Sequence, residues 1–198
     1  MPGRLQSPVA AVWLMAAAVG SSACARQPAG HAITLDHASF VEVLGPEQAD
    51  RLRTALARVL REHPQDFPQP PPVDILLRAV PRGAQDDLMN SISYGGVHLD
   101  GSRAVVEVHP AAIAGRLALN GAELRSLIGH ELVHGYQCTR GPCDGDQCEL
   151  WRREAEAYGW ELSNMEDEVR PEYREDTERN LAMFRAMLEH QPRCGEGP

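Results

Sequence analysis

The chain predicts an α+β fold, with a helix and a short mixed sheet in its first half and helices alone in its second. Three observations predict this. Leu52, Leu56, Val59 and Leu60 recur at helical spacing behind Gly45-Pro46. Runs rich in β-branched residues, bounded by turn signals, occupy 73–109. Beyond Pro110 the apolar residues return to a helical period and stay there. With 198 residues, 43% of them apolar, the chain suffices for one domain with a real core. Aromatic residues are only 5%, so that core is expected to be Leu, Val, Ala and Ile.

The elements follow in order. Residues 1–25 read as an export signal: Arg4 is the only early charge, and Val9 to Val19 is an unbroken apolar run. That run is shorter than the roughly 20 residues of a membrane-spanning helix. Small residues lead to Ser22-Ala23-Cys24, which resembles a bacterial lipobox with Cys24 as the acylated mature N-terminus. The alternative is an A-x-A site at Ala23-Cys24-Ala25, cut before Arg26 to release a soluble protein. Either route implies export, to a bacterial cell envelope as a lipoprotein or beyond it. Any membrane contact would then be through lipid on Cys24 alone. Residues 26–45 read as a tether entering a first short strand near Ser39 to Leu44, and 46–198 as the folded domain. Pro46 and Glu47 open a helix that ends near Arg61 and His63, where positive charge suits the dipole. Prolines 64, 68, 70, 71 and 72 then make a stiff connection.

Val73 to Val80 reads as a strand, and Ser91 to Leu99, with its Gly95-Gly96, as a bulged strand or hairpin. Asp100-Gly101 is a turn signal before a strand from Arg103 to His109. Val106 and Val108 face one side of it; Val105, Glu107 and His109 face the other. A short Ala-rich helix fits 110–119. Asn120 and Glu123 form a capping-box pattern opening a helix to about Gln137, which Gly141-Pro142 terminates. Two further helices fit Gln147 to about Glu168 and Pro171 to about His190.

Chemistry concentrates in the capped helix. His130-Glu131-Leu132-Val133-His134 is an H-E-x-x-H motif, and residues four apart share one helical face, so both imidazoles reach a single ion. Glu131 projects about 100° round the helix, beside that ion, where it holds a water as general base. A catalytic zinc needs a third protein ligand, with water in the fourth position. Glu154 and Glu156 are the candidates downstream, and about 200° of helix separates them, so only one can face the ion. For the oxyanion of an acyl-transfer step, Tyr158 and the strand residue His109 are candidate stabilisers.

H-E-x-x-H followed about 20 residues on by E-x-x-A resembles the gluzincin metallopeptidases, and Glu154-x-x-Ala157 carries the second half of that pattern. The resemblance implies a small zincin-like domain, Zn2+ as cofactor, Glu154 as third ligand and Ala157 as a close helix contact. Locally, His130 to Tyr136 (HELVHGY) with Cys138 is similar to the mitochondrial inner-membrane metallopeptidases that mature an ATP synthase subunit. Gly135 and Gln137 stand where that family has Ala and Asp. The expected activity is hydrolysis of a peptide or protein by a zinc-activated water. A catalytically idle zincin-like binding lipoprotein and a hydrolase of a non-peptide cell-wall amide are the alternatives. Retention of Glu131 disfavours the first of these, because a binding site needs no base.

The remaining features weigh less. Net charge is -9, from 28 acidic and 19 basic residues, which argues against nucleic acid as a partner. With Cys24 lipidated, Cys138, Cys143, Cys148 and Cys194 remain; export favours disulfides among them, in any of three pairings. A bridge among the first three would staple the end of the H-E-x-x-H helix to the start of the Glu154 helix. Asp144 and Asp146 read as turn residues, and the acidic stretch from Glu166 to Glu178 as a solvated helix face and turn.

Overall fold

The computed structural model describes residues 31–80, 95–108, 119–143 and 145–194. Its element order is β1 (Ile33–Leu35), α1 (His37–Leu44), α2 (Pro46–Glu62), β2 (Asp74–Ala79), β3 (Gly95–Asp100), β4 (Arg103–Val108), α3 (Gly121–Arg140), α4 (Gln147–Ser163) and α5 (Pro171–His190), closed by a 3-10 turn at Pro192–Cys194. The architecture is α+β, as the sequence predicts. The export signal, Cys24, His109 and the Ala-rich segment up to residue 118 lie outside the described residues.

Four strands form one mixed sheet in the order β1-β2-β4-β3. β1 runs parallel to β2 with Ile33 opposite Ile75, and α1 and α2 make the crossover that a parallel pair requires. β2 runs parallel to β4 with Leu77 opposite Val106, and β3 returns antiparallel to β4 through the turn at Asp100-Gly101. Ile75, Leu77, Ala104, Val106 and Val108 are all buried, so the two central strands carry the core.

The strand expected near Ser39 to Leu44 is instead helix α1, and the first strand lies earlier. The Asp36 carboxylate caps α1 by accepting from the Ser39 amide (3.2 Å). The Ser39 hydroxyl donates to the Asp36 carbonyl (2.8 Å) and accepts from the Ala79 amide (2.9 Å). These bonds, with full burial of Phe40, outweigh the strand preference of Val41 and Val43.

α3 begins with the expected capping box: the Asn120 side chain accepts from the Glu123 amide and the Glu123 carboxylate from the Asn120 amide, both at 2.9 Å. It continues to Arg140, one turn beyond the expected end. Gly135 brings it onto the sheet, since a Cβ there would lie 2.7 Å from Ile75 Cγ2. α4 ends at Ser163, five residues before the expected end, where the Asn164 side chain caps it by donating to the Trp160 carbonyl (2.9 Å). The turn that follows returns to the start of α3. There Asn120 donates to the Glu168 carbonyl (2.9 Å), Arg170 grips Glu123, and Glu166 pairs with Arg125. The proline connection docks by Phe67, buried against the rings of Tyr136 and Trp160, while the Tyr136 hydroxyl donates to the Pro68 carbonyl (2.7 Å).

Candidate metal centre

α3 presents His130 and His134 one turn apart, and both are buried. α4 packs against the same helix at close range. Ala157 is fully buried, and Gly129 faces the Trp160 ring so tightly that a Cβ would overlap it. This approach brings Glu154 over the imidazoles. Its carboxylate oxygens lie 3.7 Å from His130 Nε2 and 3.5 Å from His134 Nε2, and the two Nε2 atoms are 3.1 Å apart. Four-coordinate zinc with ligands at about 2.0–2.1 Å places tetrahedral ligand atoms about 3.3 Å from one another. Each carboxylate oxygen is paired with a different imidazole, and these separations bracket that value, so the three residues are placed to share such an ion. Glu156 faces elsewhere, accepting from Arg140 (2.6 Å) and from Gln137 Nε2 (3.0 Å).

Each imidazole is held by its other nitrogen. Glu161, only 3% exposed, sits on His130 Nδ1 (3.1 Å) and takes a second bond from the Tyr173 hydroxyl (2.7 Å). Gln137 Oε1 sits on His134 Nδ1 (2.9 Å), and its amide nitrogen donates to the Arg153 carbonyl (3.0 Å) and to Glu156. Those donations fix the amide orientation and leave only its oxygen for His134. With acceptors at both Nδ1 positions, the Nδ1–H tautomers are favoured and both Nε2 lone pairs face one point. Two lone pairs at that distance repel unless a cation or proton lies between them. Carboxylate or amide partners of this kind orient a metal-ligating histidine and raise its basicity.

No protein-family profile, no curated protein and no solved structure matches this chain.

The electrostatics agree with a cation site. Burial opposes charge on His130, but Glu154, Glu161 and Glu131 outweigh it and push its pKa up to about 10. Burial, with the neighbouring His130 charge, holds His134 below its usual value despite Glu154. Burial would raise Glu154, yet the two histidines hold it below the usual carboxylate range. Three carboxylates thus surround one positive charge. Glu131 is also buried, and no described residue makes a hydrogen bond to it. Burial, reinforced by Glu154 and Glu161 against the pull of His130, pushes its pKa up to about 7. A carboxyl so placed exchanges a proton readily near neutral pH.

Tyr158 is brought to the site. Its ring meets His130 edge-on (4.4 Å between centroids) and stacks on Phe184, while its hydroxyl accepts from Asn180 (3.3 Å). The cysteines form two bridges, Cys138–Cys143 and Cys148–Cys194. Neither staples α3 to α4, contrary to the expectation: the first closes the turn after α3, and the second ties α4 to the chain beyond α5. Arg153 instead ties α4 to the turn after α3, donating to the carbonyls of Pro142 and Cys143. Glu161, Gln137, Tyr173 and Arg153 were not singled out from the sequence. Glu161 had a readable signal, because it lies seven residues after Glu154, two turns along the same face. Gln137 lies three after His134, within helical reach.

Proposed function

We propose that this chain is an exported zinc metallopeptidase, with His130, His134 and Glu154 as the metal ligands and Glu131 as general base. One observation carries the reading. The two Nε2 atoms and the Glu154 carboxylate converge on one point, with both imidazoles held through Nδ1, beside a buried carboxyl that has no hydrogen-bond partner among the described residues. His130, His134 and Glu154 would hold zinc, which would supply Lewis acidity to polarise a carbonyl oxygen and activate water near neutral pH. Glu131, buried on the same helix beside His130, would accept the proton of the attacking water and return it to the departing amine. Glu161 and Gln137 hold the imidazoles in the tautomer that ligation needs. The Tyr158 ring walls one side of the His130 imidazole.

The substrate class is a peptide or protein, and the net charge of -9 disfavours nucleic acid. The apolar run from Val9 to Val19, the Ser22-Ala23-Cys24 triplet and the two disulfides support export, with lipid on Cys24 as the anchor. No helix among the described residues is long and apolar enough to cross a membrane.

The test pairs metal content with activity in the full-length chain, produced in an oxidising compartment. Wild type and Glu131→Gln should each hold about one zinc, and cleavage of a general peptide library should fall about 10²–10⁴-fold in the variant. Zinc with hydrolysis only of cell-wall amides would move the substrate class. Zinc with no hydrolysis would reduce the chain to a binding protein, and absence of zinc would overturn the reading.

A further inference from the structure

We propose that the turn closed by Cys138–Cys143 positions two of the three ligands, so that metal affinity depends on the oxidation state of that one bridge. This inference rests on the metal reading above and concerns its regulation.

Arg153 is a buried charge, 7% exposed, one residue before Glu154. Its guanidinium has three acceptors: the Cys143 carbonyl (2.7 Å), the Pro142 carbonyl, and the part-exposed Glu149 carboxylate (3.1 Å). Two of the three therefore belong to the turn that the bridge closes. The Arg153 carbonyl accepts from Gln137, whose side-chain oxygen sits on His134. One residue thus joins the bridged turn to His134 through Gln137 and to Glu154 through the backbone. His130 is outside this chain of contacts, because Glu161 and Tyr173 hold it. Opening the bridge frees the turn, and a buried guanidinium that loses carbonyl acceptors has to find others. Arg153 then shifts, and Glu154 and His134 shift with it. Cys148–Cys194 joins the start of α4 to the chain just beyond α5; the Cys194 carbonyl accepts from Arg152 (2.8 Å), and neither cysteine supplies an acceptor to Arg153.

The switch is a two-electron exchange with a dithiol reductant. A thiolate of the reductant attacks one sulfur and breaks the S–S bond; its second thiol resolves the mixed disulfide. Cys138 and Cys143 gain two electrons and two protons as thiols, and the reductant leaves as a disulfide.

The test uses the full-length chain and three readouts: zinc Kd by competition with a chromophoric chelator, the visible spectrum of the Co(II)-loaded protein, and thermal stability. Serine variants avoid free thiols that would themselves bind zinc. Cys138→Ser/Cys143→Ser should bind zinc about 10-fold more weakly, with an altered Co(II) spectrum. Cys148→Ser/Cys194→Ser should keep zinc affinity within about twofold, whatever its melting temperature. Arg153→Met should match the first pair, and combining the two should add little, since both act through one contact. If the first pair does not fold, Kd is measured on Cys148→Ser/Cys194→Ser after phosphine reduction and alkylation, so that only the Cys138–Cys143 bridge opens and its thiols are blocked, with the same expectation. Equal affinity with the bridge open and closed overturns the inference, as does equal weakening by both serine pairs. Wild type that binds no zinc instead removes the functional reading on which it rests.

Discussion

His130 and His134 are interchangeable in the motif but are held by different means. His130 rests on a buried carboxylate, Glu161, which is itself fixed by a hydroxyl from a third helix. His134 rests on a neutral amide, Gln137, whose other contacts run to a backbone carbonyl and to Glu156, a carboxylate at the surface. The first half is anchored by charge inside the helical core; the second is anchored by a turn at its edge. Charge-assisted hydrogen bonds are roughly twice as strong as neutral ones, and burial makes their loss costly. The two-histidine motif therefore conceals a firmly held imidazole and an adjustable one.

The largest expected effect follows from that difference. Glu161→Ala strips His130 of its partner and leaves the Tyr173 hydroxyl without that acceptor, so zinc affinity should fall by about 100-fold, the upper end for such outer contacts. Gln137→Ala should cost about 10-fold, and Kd by chelator competition measures both. Equal losses would erase the distinction. A smaller effect, on stability, comes from the helix contact that both halves share. Gly129→Ala forces a methyl against Trp160 and should destabilise the fold by about 1–3 kcal/mol in a denaturant titration. It should also weaken zinc binding through both histidines, because α4 carries Glu154 and Glu161 alike.

The smallest effect lies away from the two histidines. Burial opposes charge on Glu123, but Arg170 and the Asn120 amide outweigh it and hold its pKa below the usual carboxylate value. A carboxylate depressed on folding contributes stability above its unfolded pKa, and that contribution is lost as pH falls through the lower folded value. Glu123→Gln should therefore lower the melting temperature by a few degrees at neutral pH. The gap from wild type should close as the pH falls below about 4.5. Zinc affinity should be unchanged, because Glu123 lies two turns before His130.

What could be read from the chain was what local rules decide. The capping box at Asn120 and Glu123, the four-residue spacing of the histidines and the proline start of α5 all rest on neighbours in sequence, and each is present. Ser39 to Leu44 misled because its β-branched residues favour a strand locally. The deciding contact, Ser39 with the Ala79 amide, comes from 40 residues away. Disulfide pairing was open for the same reason, since Cys148 meets Cys194 only after α5 folds back along α4. Glu161 shares a helical face with Glu154, but only its burial against His130 gives it a part in the site. The grouping of His130, His134 and Glu154 was legible from spacing; the residues that orient them depend on packing.

The most direct test of the central claim is zinc stoichiometry in full-length wild type, Glu154→Ala and Glu156→Ala, purified identically and dialysed against the same weak chelator. The structure predicts about one zinc per chain in wild type and in Glu156→Ala, and loss of the metal in Glu154→Ala. Zinc retained by Glu154→Ala and lost by Glu156→Ala, or absent from all three proteins, would contradict the account.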